Sequence, residues 1–161
     1  MSLPRAVLIG IGNPYRRDDG IGPALAAAIE QLRPPGVSVT ISDGEPSRLL
    51  DAWSGAPLAV VVDAVLCDDP APGRIHRTAL GAAPAGTAAG RQSASASTHG
   101  LGIPDAIRLA EALDRAPQRL VVFAVEAADI GFGPGLTAAV GACLPELTQA
   151  VLAELAADPP R

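Results

Sequence analysis

The stretch Ile9-Gly10-Ile11-Gly12-Asn13-Pro14-Tyr15-Arg16-Arg17-Asp18-Asp19-Gly20-Ile21-Gly22 decides how this chain is read. The apolar run Ala6 to Ile11 enters a glycine-rich turn, and two adjacent carboxylates follow. Next comes an alanine-rich segment with Ile21, Leu25, Ile29 and Leu32 on one helical face. Strand, turn and helix in that order open an α/β unit, and open α/β sheets place their chemistry in turns at the carboxyl ends of strands.

Working outward, Leu58–Val65 and Leu120–Val125 are also continuously apolar, as strands covered on both faces of a parallel sheet are. Val37–Ser42 alternates instead, which suits a strand near an edge. Pro34-Pro35 stops the first helix. Ile103, Ile107, Ala110 and Leu113 mark a second helix, and Leu136 to Ala156 a terminal one that Pro145 either kinks or divides. Arg74–Thr78 reads as a short extra strand, and the Ala/Gly/Ser/Thr-rich residues 79–97 as a flexible surface loop. The alternation predicts an α/β fold, a three-layer α/β/α sandwich with a mainly parallel twisted sheet, over a single domain of residues 1–161. Crossover handedness then brings the strands' carboxyl ends to one rim.

Composition narrows the function. The 161 residues are 48% hydrophobic but only 2% aromatic, so the core is built from Ala, Val, Leu and Ile. A net charge of −5 argues against a nucleic-acid groove. No uninterrupted apolar run has the ~18 residues of a membrane span, and no signal peptide precedes the first strand. Cys67 and Cys143 then read as reduced thiols of a cytoplasmic protein.

Three side chains carry the candidate chemistry. Asp63 closes the run Leu58 to Val62, where a carboxylate loses water and needs a donor, a cation or a metal. Of Asp18 and Asp19, one is expected to cap the following helix and the other to face the rim. His99 stands in Thr98-His99-Gly100-Leu101 between the low-complexity loop and a helix. On its own a loop histidine is a surface residue. With Asp19 and Asp63, however, it offers one nitrogen and two carboxylates, a set able to bind a divalent transition ion with positions left open. Cys67 is either one more soft ligand or an ordinary half-buried thiol, Cys143 is packing, and His76 is structural or exposed.

Other chemistries fit less well. Gly10-x-Gly12-x-x-Tyr15 misses the dinucleotide fingerprint at its third glycine, and Asp18 and Asp19 would repel a pyrophosphate. No Gly-x-Ser-x-Gly elbow or phosphate-binding P-loop motif occurs.

Together these blocks resemble the hydrogenase maturation endopeptidases, which trim the large subunit of nickel–iron hydrogenases. The resemblance rests on Gly10 to Gly22, on Val61-Val62-Asp63-Ala64 and on Thr98-His99-Gly100-Leu101. Weaker echoes are Ser42-Asp43-Gly44, Val125-Glu126 and Gly135-Leu136-Thr137, all in the family's order. It implies a nickel-dependent proteolysis in which nickel arrives inside the large-subunit precursor and is weakly held by the free enzyme. It implies that Asp19, Asp63 and His99 contact the metal, with Asp18 or Asp63 open to a role as general base. Two departures matter. The second acid is often Glu in the family but is Asp19 here, which keeps Asp18 as its alternative, and Glu45 stands where a second glycine is common. A non-proteolytic nickel-sensing or carrier module is the rival reading, and a nucleotide-binding domain a weaker one.

Overall fold

The computed structural model describes residues 3–81 and 102–157. Five strands form one sheet: β1 (Ala6–Ile11), β2 (Val37–Ser42), β3 (Leu58–Val65), β4 (Ile75–Gly81) and β5 (Arg119–Glu126), in spatial order β2-β1-β3-β5-β4. Strands β1, β2, β3 and β5 are parallel, and only β4 runs antiparallel, along the outer side of β5. The helices are α1 (Ile21–Leu32), α2 (Pro46–Trp53), α3 (Gly102–Ala112) and α4 (Ala138–Ala156).

The two faces of the sheet carry separate cores. On one, Leu25 and Ile29 of α1 and Val140, Leu147 and Val151 of α4 pack on Leu8, Val60, Val62 and Phe123. On the other, Leu49, Leu50 and Trp53 of α2 and Ala106 and Ala110 of α3 cover Ile9, Val61 and Leu120. The expected α/β/α sandwich is therefore present, with β1 and β3 buried along their whole length. Burial of each branched side chain contributes roughly 1.5–3 kcal/mol, a reserve that offsets placing carboxylates among them.

Several boundaries differ from the sequence reading. Helix α2 has no counterpart in the sequence reading; Pro46 stands at its first position, and Glu45 accepts hydrogen bonds from the Ser47 and Arg48 amides. Residues 79–81 belong to β4 rather than to a loop, because the ladder to β5 continues through Ala79↔Val121, Leu80↔Leu120 and Gly81↔Arg119. The rest of that expected loop, 82–97, lies outside the described residues. Pro145 is taken into one continuous helix.

Helix α4 has the length and apolarity to cross a membrane. Here it is docked instead. Its Val140, Leu147, Val151 and Leu155 are buried on the sheet, and Glu154 pairs with Arg77 of β4 and Arg119 of β5.

Candidate active site

Among the described residues four charged or polar side chains are buried: Asp18, Asp19, Asp63 and Glu126. All four stand at or just beyond the carboxyl ends of β1, β3 and β5. Buried acids concentrated at one rim repel each other and favour any cation or N–H donor that reaches them.

The first pair is placed by close approach of α1 to the sheet. A Cβ on Gly22 would lie 2.3 Å from the Ile11 carbonyl oxygen and 2.8 Å from that of Val62, so only glycine lets the helix start this near. This is the helix–strand contact that the dinucleotide fingerprint assigns to its third glycine, made here by a different residue. Gly12 adopts φ +142°, and a Cβ there would meet the Asp19 carbonyl oxygen at 1.8 Å. A short 3-10 turn, Arg17–Gly20, then carries both acids into α1.

Their roles differ from the expectation. The N-cap residue of α1 is Gly20, which has no side chain to cap with, and the donors that reach Asp18 lie outside α1. The Asp18 carboxylate instead accepts the amides of Ala128, Asp129 and Thr137, at 2.8, 3.0 and 2.8 Å, together with the Thr137 hydroxyl. These donors all come from the segment joining β5 to α4. Asp18 thus forms a latch between two loops. Asp19 Oδ2 accepts the Asn13 amide at 2.9 Å, and Asn13 Oδ1 in turn accepts the Tyr15 amide at 2.9 Å.

Asp63 lies on the strand next to β1, in register with Ala124 of β5. Alternation along β3 puts it on the side of Ala59 and Val61, the face that α2 and α3 cover. Its Oδ1 accepts the Ala64 amide at 2.8 Å. The turn bearing Asp19 packs against β3, so the two acids rise from adjacent strands of the same rim.

His99 lies outside the described residues. Three positions after it α3 begins, and the direction of α3 is informative. Beyond the far end of that helix, Arg115 reaches Ser54 Oγ at 3.1 Å and Asp51 at 3.0 Å, and Gln118 donates to the Ala56 carbonyl. That end therefore meets the amino ends of the strands. The first turn of α3, about 16 Å away for an 11-residue helix, starts from the acidic rim. Among the described residues no three His, Cys, Asp or Glu side chains form a metal cluster.

Glu126 has a different task. Its Oε1 accepts the Ala71 amide at 3.0 Å, Oε2 meets His76 Nε2 at 2.7 Å, and Arg74 stands 3.7 Å away. The Ala71 amide, then His76, hold its carboxyl below the usual carboxylate range. Burial, then the hydrogen bond to Glu126, pushes the Cys67 thiol up. His76 is a partner in this cluster, and Cys143 is buried in the α4 core. In the sequence Glu126 is marked only by the resemblance and by its place closing an apolar run, the same pattern as Asp63.

The family described as HycI, hydrogenase maturation protease, matches residues 23–154. The structure is similar to the hydrogenase maturating endopeptidase HybD from E. coli, with 26% identity over 94% of this chain and 91% of that one, and a TM-score of 0.74. It is also similar to an endopeptidase from Escherichia coli solved in solution, at 24% identity, 94% and 91% coverage and a TM-score of 0.78. The [NiFe] hydrogenase maturation protease HybD from Thermococcus kodakarensis shares the fold at 22% identity, 95% and 99% coverage and a TM-score of 0.71. No curated protein sequence gives a match.

Proposed function

The chain belongs to the hydrogenase maturation protease family, and we propose that it is the endopeptidase removing the C-terminal extension from a nickel–iron hydrogenase large-subunit precursor after nickel insertion. The observation that carries this reading is the pair Asp19 and Asp63. Both are 1% exposed and rise from neighbouring strand ends on the rim where α3 begins.

In this reading nickel is part of the substrate. Asp19 and Asp63 supply oxygens and His99 a nitrogen, leaving positions for the precursor's own ligands and for water or the scissile carbonyl. A divalent ion also relieves the cost of holding two acids dry at one place. The shared ion acts as a checkpoint, because an empty precursor offers nothing for the acids to hold. It fixes the peptide bond against the site and polarises its carbonyl; if Asp63 serves as general base rather than ligand, its carboxylate takes the proton of the attacking water and passes it to the departing amide nitrogen as the C–N bond breaks. With no thiolate in the set, affinity for free nickel is weak. We place the reaction in the cytoplasm, where Cys67 and Cys143, both free thiols, stay reduced.

The test is to incubate the protein with large-subunit precursor prepared with and without nickel. Shortening of the nickel-loaded precursor alone supports the proposal. Capture of the loaded precursor at full length points to the carrier reading, and nickel-independent cutting removes the checkpoint.

A further inference from the structure

Of the four aromatic residues in the chain, Trp53 and Phe123 are buried in the two cores, whereas Tyr15 is 71% and Phe132 93% exposed. Each exposed ring forfeits a large burial gain, and they belong to two loops that meet. The Gly133 amide donates to the Tyr15 carbonyl at 2.8 Å, the Arg17 amide donates to the Gly133 carbonyl at 3.0 Å, and Arg16 and Gly133 form a parallel bridge. The Asp18 latch fastens the same two loops from below. The rings therefore stand on a fixed platform.

Pro14 and Pro134, both exposed, widen the apolar surface. Arg17 adds a half-exposed guanidinium: it lies against Gly133, 2.9 Å from where a Cβ would be, stands 3.9 Å from the half-exposed Asp129 carboxylate, and its backbone has φ +50°. Two exposed rings beside a guanidinium are a local departure in a chain that is only 2% aromatic. The platform is also continuous with the candidate site, since Tyr15 and Asp19 share one turn.

We propose that Tyr15 and Phe132, flanked by Arg17, form the docking surface for the precursor polypeptide next to its scissile bond, with an apolar side chain covering the rings and a carboxylate meeting Arg17. This inference rests on the protease reading and adds to it a recognition element that needs no metal. Clustered aromatic and Arg residues at an interface centre carry a large share of binding energy.

The experiment uses the full chain and nickel-loaded large-subunit precursor, reading KM, kcat and direct binding for wild type, Tyr15→Ser/Phe132→Ser and Leu113→Ser. Leu113 is 52% exposed and lies beyond the opposite end of α3, so it serves as a matched surface control. The double variant should keep its melting temperature, raise KM and weaken binding by at least about tenfold, and leave kcat within about twofold. Leu113→Ser should match wild type. An unchanged KM and affinity in the double variant, or an equal loss in Leu113→Ser, overturns the docking surface. If wild type binds the precursor without cutting it, the protease reading falls, while loss of binding in the double variant still upholds the platform. If wild type neither binds nor cuts, both fall.

Discussion

Thr137 gives both its amide, at 2.8 Å, and its hydroxyl to the carboxylate of Asp18, 119 residues earlier in the chain. The hydroxyl is consequently absent from the cap of α4, where Thr137 is the N-cap residue without a side-chain hydrogen bond. Asp18→Asn should cost about 2–4 kcal/mol, since an amide nitrogen would face buried donors built for an anion. Urea unfolding should register that loss, and the melting temperature should fall by roughly 5–15 °C.

Gly22→Ala tests the close approach of α1. A methyl group 2.3 Å from the Ile11 oxygen forces the helix outward and carries Asp19 with it. We expect a stability loss of about 1–3 kcal/mol together with a larger fall in processing than Asp18→Asn produces at equal folded concentration. Equal activity would mean that the start of α1 does not set the position of Asp19.

Asp63→Asn, Asp19→Asn and His99→Ala should each abolish precursor processing while the circular dichroism spectrum remains that of the folded protein. Wild-type rates in any of the three would dissolve the proposed trio. Purified protein should hold nickel substoichiometrically, and tight one-to-one nickel would contradict delivery by the precursor.

Glu126 contributes to the acid limb of stability. Its carboxyl titrates below the ordinary value of 4.5 because the folded state favours the anion. It therefore contributes stability above that value, and the contribution is lost as pH falls through the depressed one. Thermal melts across this range should show wild type weakening toward low pH. Glu126→Gln should be less stable at neutral pH, and it should lose less on acidification.

The sheet was legible because β1, β3 and β5 hold continuous apolar runs, Ala6–Ile11, Leu58–Val62 and Leu120–Val125, the pattern of strands covered on both faces. The helix α2 was not. Its eight residues hold too few turns for a period to emerge. The last residues of β4 were hidden because Ala79 and Gly81 look like the low-complexity sequence that follows, and only the register with β5 sets them apart. At the site, burial of Asp63 and Asp19 followed from their strand ends. The division of labour between Asp18 and Asp19 did not, because the Asp18 donors lie more than a hundred residues away, and nothing local marks Ala128, Asp129 or Thr137 as their source.

The latch at Asp18 has a consequence for encounter kinetics. Loops fastened during folding lose little freedom when a partner lands on them, so association should proceed without a slow rearrangement on this side. Under the proposed protease reading, any lag before cleavage would then report on the precursor exposing its tail.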